Sequence, residues 1–401
     1  MGRPSLSERL ARQHAEREAA HARRRLLAVD QRDGVCLWRE GRCLLDFASN
    51  DYLGLAQHPA VIAALCEAAN AHGFGSTAAH LVSGHHRLHV QLEEAIADWL
   101  EQPRALLFGS GYLANLGVIQ ALLTTDDLCV QDKLNHACLL DGARLSGAQL
   151  KRYPHADVAA AGRQLRSMPA RAALLATDAV FSMDGDIAPL RELAGLARAE
   201  NAVLYIDDAH GLGVHGPQGR GSAALLGMRS DETPLQLLTL GKALGGYGAL
   251  VVGSDALVEA VLQGARSYLF TTALPPAMAA ASLAALHIAR GDEQRRLRLH
   301  SHIARFRHAA NQLGLPLLES ATPIQPILLG DNARALAVSA RLADSGFLVP
   351  AIRPPSVPAG QARLRITLSA LHEDTQIDRL LEGLDAALRS SKVTSDVSGH
   401  G

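Results

Sequence analysis

The chain has 401 residues, 48% of them hydrophobic and 20% charged, which is enough for two or three lobes around sizeable cores. A formal net charge of −1 argues against nucleic acid or an anionic membrane as partner. The five cysteines (Cys36, Cys43, Cys66, Cys129 and Cys138) fall at no metal-ligand or redox spacing, which indicates reduced thiols in a cytoplasmic protein.

The first 25 residues are rich in Arg and Ala but carry Glu8, Glu16 and Glu18 and no apolar core, unlike a secretory signal. Residues 5–28 read as a helical arm ending in Arg23, Arg24 and Arg25. The run D-F-A-S-N-D-Y-L-G-L at 46–55 is a loop of turn formers, and 59–71 is a helix with Pro59 at its start. His85-His86 reads as a polar loop pair rather than a metal site. From 86 to 275 apolar strand-like runs (105–108, 128–131, 173–176, 203–207, 235–240 and 249–253) alternate with helical patterns at 90–100, 113–123 and 189–200. That alternation predicts a mostly parallel sheet covered on both faces. Pro275-Pro276 breaks it, and a long helical stretch follows over 277–313, whose most apolar part is too short to span a bilayer. A strand at 324–329, a helix at 333–344 and a strand at 363–367 read as a smaller α+β lobe. The expected division is an arm over 1–50, a large domain over 51–280, a small C-terminal domain over 281–389 and a disordered polar tail over 390–401.

Chemistry concentrates where strand candidates end. Lys242 follows the run at 235–240 with glycines on both flanks, giving a flat ligand room to approach. Its reference pKa near ~10.4 makes it inert in water, so a reactive role needs a cofactor or a cationic neighbourhood. Asp207 and His210 end the run at 203–207. A carboxylate there costs several kcal/mol unless paired, either with an arginine or with a protonated ring nitrogen. A lysine, a carboxylate and an imidazole so placed are a protein's share of pyridoxal 5'-phosphate (PLP) chemistry. Gly109 to Asn115 (G-S-G-Y-L-A-N) joins a strand to a helix, where backbone N–H groups of Gly111 and Tyr112 suit a phosphate. His136 is either a polar loop residue or a ring that stacks on a flat cofactor. Ser182 is a turn serine or a cofactor contact, and Thr239 a strand residue or a phosphate contact. Arg353, before Pro354-Pro355, presents a rigid guanidinium suited to a carboxylate. The literal G-x-G-x-x-G at 211–216 is not a dinucleotide fingerprint, because two carboxylates precede it and no helix can open at Pro217 to Gly221.

Six segments in order, S-N-D-Y-L-G-L (49–55), G-S-G-Y-L-A-N (109–115), F-S-M-D-G-D (181–186), D-D-A-H-G (207–211), T-L-G-K (239–242) and I-R-P-P-S-V-P (352–358), resemble the α-oxoamine synthases over nearly the whole chain. The resemblance implies an α/β fold of the type I PLP-dependent, aspartate-aminotransferase-like kind, with a mostly parallel seven-stranded sheet and a smaller α+β domain. D-D-A-H-G and Arg-Pro-Pro look most like the biotin-pathway branch, which condenses L-alanine with pimeloyl-CoA or a pimeloyl-acyl carrier protein. T-L-G-K-A-L-G-G is shared with a glycine-using sister branch, and Ser356 stands where threonine is usual. By resemblance Lys242 carries the cofactor and moves the α-proton, Asp207 pairs with the ring nitrogen, His210 contacts the phenolic oxygen and His136 stacks. Ser182, Thr239, Gly111 and Tyr112 hold the cofactor's edge and phosphate. Arg353 and Arg23 contact substrate, with Asn50 and Ser356 in the same pocket. The resemblance also implies a homodimer with shared sites, in which the Gly75-Ser76-Thr77 loop reaches the partner's cofactor.

Overall fold

The computed structural model describes residues 5–24 and 26–397, so Arg25 of the arginine run lies outside the described residues. The chain forms two compact units. One comprises Met1–Ser49, Met183–Gly185 and His300–Gly401, the other Asn50–Ser182 and Asp186–Leu299.

The larger unit is built on a seven-stranded sheet: β1 (Arg104–Phe108), β2 (Leu128–Asp132), β3 (Gln149–Tyr153), β4 (Ala173–Asp178), β5 (Val203–Asp207), β6 (Leu235–Thr239) and β7 (Ala249–Gly253). Their spatial order is β1-β7-β6-β5-β4-β2-β3. β7 runs antiparallel to both its neighbours and the other pairings are parallel. The central strands are nearly all apolar and buried because helices cover both faces, in two core clusters. Leu106, Val118, Leu139 and Val251 belong to one; Val130, Leu175, Leu193 and Ile206 belong to the other. Strand β3 escaped the sequence reading. Its sequence, QLKRY, is half solvated at the sheet's edge, so it carries no continuous apolar run.

In the smaller unit, three antiparallel strands, Gln31–Asp33, Cys36–Arg39 and Arg42–Asp46, pair in sequence, and Phe347–Leu348 adds to the last in parallel. A second sheet joins Ile324–Gly330, Ala362–Thr367 and Ala351–Ile352. The arm helix is Leu6–Ala19, shorter than expected: His21 adopts φ 50°, which ends it before the arginines. The stretch at 277–313 is two helices, Pro276–Gly291 and Glu293–Gln312, interrupted at Asp292. The last helix is Asp374–Val397. The expected tail is therefore helical up to 397, as the continuation of that helix, and residues 398–401 lie outside the described residues.

Candidate active site

Strands β6, β5, β4 and β2 are neighbours and parallel, so their carboxyl ends form one continuous edge. Around that edge lies a cavity of about 200 Å³. Lys242 and Thr239 reach it from the end of β6, Asp207 and His210 from β5, Asp178 and Ser182 from β4, and His136 from β2. Gly111 and Tyr112 line it at the start of the helix Gly111–Leu122, whose first N–H groups have no intrahelical partner. Eight of the residues singled out in sequence thus share one cavity.

Asp207 is 7% exposed and its oxygens are held by neutral donors, Nδ2 of Asn115 at 2.6 Å and the N–H of Ala209 at 3.1 Å. No arginine pairs with it among the described residues. Its register partner on β4 is Asp178, another buried carboxyl. Burial, and next the charge of Asp207, push Asp178 well above the usual carboxylate range. Oδ2 of Asp178 accepts the N–H of His136 at 3.0 Å, while Oδ1 has no partner among the described residues. Two adjacent buried carboxyls with neutral donors around them favour a cation in the cavity, and a protonated ring nitrogen meets that requirement.

Four contributing residues carried no separate signal in the sequence. Tyr205 donates its hydroxyl to Oδ1 of Asn115 at 2.6 Å, so that Asn115 turns its amide toward Asp207 and toward Sγ of Cys138 at 3.0 Å. The thiol of Cys138 lies 2.7 Å from Nδ1 of His136, and its N–H also faces that nitrogen at 3.3 Å. Nδ1 is therefore the acceptor and Nε2 carries the proton. Burial pushes His136 below its ordinary pKa; Asp207 opposes this and the charge of Lys242 adds to it. Tyr52 places its hydroxyl 2.7 Å from Nδ1 of His210 and donates to Oδ1 of Asn50 at 3.2 Å, which ties Asn50 to the site. Of these four, only Tyr52 and Asn115 belonged to segments that the resemblance had picked out.

Two groups of glycines serve ends that the sequence did not reveal. Gly245, at φ 65°, comes so close to Ala56 that a Cβ would lie 2.2 Å from its backbone nitrogen, so its smallness serves backbone packing rather than ligand clearance. Gly211 and Gly221 close on the side chain of Asp208, where a Cβ would lie 2.1 and 2.3 Å from the carboxylate oxygens. Ser222 completes that grip with its N–H and hydroxyl, both at 2.6 Å. Burial pushes Asp208 up to about 7 despite these bonds. The glycine run after β5 thus wraps a buried carboxyl, and it is followed by a single 3-10 turn, Pro217–Gly219, and the one-turn helix Ser222–Leu225.

The remaining expected residues lie elsewhere. Ser76 is buried and donates its hydroxyl to the carbonyl of Leu274 at 2.6 Å, away from this cavity. In the smaller unit Arg23 pairs with Glu18 at 3.1 Å, Nη2 of Arg24 lies 3.5 Å from the hydroxyl of Ser356, and Arg353 donates to the carbonyl of His21. Arg23, Arg24 and Arg353 line a cavity of about 610 Å³. His80, His85 and His89 gather within 4.8 Å, but His89 accepts from the N–H of His86 at 2.9 Å and donates to Leu274, leaving no lone pair for a metal. No helix among the described residues is long and apolar enough to cross a membrane.

The aminotransferase class I and II family model matches residues 42–384, and the chain belongs to that family. It is 57% identical over 385 residues, 96% of each chain, to the 8-amino-7-oxononanoate synthase of Xanthomonas euvesicatoria pv. vesicatoria (strain 85-10). Among solved structures it is similar to serine palmitoyltransferase from S. paucimobilis with bound PLP and myriocin, with TM-score 0.92, 28% identity and coverage of 97% of this chain and 100% of that one. It is also similar to 8-amino-7-oxononanoate synthase from Francisella tularensis, with TM-score 0.76, 31% identity and coverage of 87% and 99%.

Proposed function

We propose that this class I and II aminotransferase family member is a PLP-dependent acyltransferase, an 8-amino-7-oxononanoate synthase of biotin biosynthesis. It condenses L-alanine with a pimeloyl thioester and releases carbon dioxide and a free thiol. One observation carries the reading: Lys242, Asp207, His136 and His210 line a single cavity in a chain 57% identical to a protein of that name.

When bound, PLP supplies an electron sink for the negative charge that develops at the α-carbon of alanine. The residues present suit it: an amine at Lys242, a carboxylate on neutral donors at Asp207, and the helix-start N–H groups of Gly111 and Tyr112. We assign Lys242 to anchor the cofactor and, once the amino acid has displaced it, to move the α-proton. Asp207 would keep the ring nitrogen protonated, and His136, its tautomer set by Cys138, would stack as a neutral ring. His210, braced by Tyr52, would contact the phenolic oxygen. Ser182 and Thr239 hold the edge and phosphate. Arg23, Asn50, Arg353 and Ser356 are assigned to substrate. The α-carbon of alanine attacks the thioester carbonyl, the thiol leaves, and the β-keto acid loses its carboxyl as carbon dioxide before protonation.

The acyl carrier is coenzyme A or an acyl carrier protein, and the compartment is the cytoplasm. The working unit is a homodimer, with Ser76 serving the partner's site. Phe74, Leu81 and Val82, on and beside the loop that carries Ser76, are exposed apolar side chains suited to burial by a second copy. The test is thiol release from L-alanine with pimeloyl-CoA, run beside glycine with acetyl-CoA. Release in the first pair alone supports the reading. Release in the second alone moves the chain to a sister synthase.

A further inference from the structure

We infer that His155 is a positioning residue: its ring clamps the turn carrying Ser182 to the end of β2 and so sets one wall of the cofactor cavity. The inference rests on the PLP-binding reading above.

His155 follows β3, and the sheet order β4-β2-β3 lets its ring reach across the end of β2 to the turn after β4. Its Nδ1 lies 3.2 Å from Oδ1 of Asp132, and its Nε2 lies 2.8 Å from Oδ2 of Asp186. Each nitrogen faces a carboxylate, so both must donate and the ring is cationic. Burial works against that charge, but the two carboxylates outweigh it and push His155 up to about 10. Asp132 is the fixed end of the clamp. It is 1% exposed and also accepts the N–H groups of Leu134 and Ala156, both at 2.8 Å. Asp186 is the dependent end, since its Oδ1 is buried without a partner among the described residues.

The turn is then closed from inside. The N–H of Phe181 donates to the carbonyl of Asp186 at 3.0 Å, and the Phe181 ring stands edge-on to His155 with centroids 4.4 Å apart. Ser182 lies between these two anchors and lines the cavity. Removing His155 leaves Asp186 half-buried without its cation, and the ion pair of Asp184 with Nη1 of Arg363 then remains as the turn's charged tether among the described residues.

The test is PLP affinity, followed by absorbance and fluorescence titration of the whole chain, with thermal unfolding recorded alongside. His155→Gln and Asp186→Asn each raise the dissociation constant about tenfold, the worth of one charge-assisted hydrogen bond. His155→Lys, which restores the charge, recovers part of the loss. In a Ser182→Ala background His155→Gln adds little further, because its effect passes through Ser182. A fully additive loss in that background overturns the inference, as does unchanged affinity with only a lowered unfolding midpoint. If His155→Gln does not fold, Asp186→Asn decides the same cycle. Absence of PLP binding by the wild-type chain overturns the function itself, and is read before any variant.

Discussion

In the larger unit three residues assigned to chemistry sit at strand ends with their hydrogen-bonding atoms held by other side chains: Asp207, buried, by Asn115; His210, buried, by Tyr52; and His136, more open, by Cys138. In the smaller unit two of the residues assigned to substrate, Arg23 and Arg353, are long cations beside an open cavity, held by surface contacts such as the ion pair of Arg23 with Glu18. Buried networks fix geometry and proton positions before any ligand arrives. Exposed guanidinium groups contribute charge and reach, are screened by salt, and adapt to what they bind. The first arrangement suits bond-making and the second suits selection.

That contrast breaks most visibly at Lys242. Lys242→Ala is expected to lower the rate of thiol release by at least about a thousandfold. Borohydride reduction should then leave no cofactor covalently attached, as read by intact mass; attachment in the variant would contradict the assignment. Asp207→Asn keeps the shape but removes the charge, and should cost about a hundredfold in kcat/KM with little change in unfolding temperature. A matching fall in stability with unchanged rate would make Asp207 merely structural. In the smaller unit, Arg23→Glu with Arg24→Glu should raise KM about tenfold for a carrier-protein thioester and less for coenzyme A, with kcat kept and the effect shrinking in salt. Equal loss for both carriers counts against a docking role.

The smallest effect concerns stability. Burial pushes His372 down to about 4, where it stacks on Phe47 at 4.2 Å and accepts the N–H of Ser369 at 2.9 Å. The unfolded chain takes up this proton near pH ~6.5 and the folded chain only near 4, so the folded state loses stability as pH falls through that window. His372→Gln should flatten the acid side of the urea-midpoint profile. An unchanged slope means that His372 is not the group responsible.

Much of the fold was legible because the central strands are short apolar runs bounded by turns, and all six runs read from the sequence between 105 and 253 fall within two residues of the observed strands at both ends. Strand β3 and the three strands of 31–46 were not legible, since alternating polar residues at an edge look like loop. The dismissal of the 211–216 glycines as a nucleotide site was also a matter of sequence, since it rested on the carboxylates before them and the Pro- and Gly-rich run after them. Their purpose, closing on Asp208, was not, because that contact depends on how the loop folds back.

The sequence by itself determined which residue types stand at the ends of which strands. Strand-end chemistry is local: an apolar run stops and a Lys, Asp or His follows. The tertiary structure alone decided which neighbours hold those residues. Asn115 meets Asp207 across 92 positions, Tyr52 meets His210 across 158 and His155 meets Asp186 across 31. No local pattern encodes such pairs; the order in which parallel strands lie side by side brings them together.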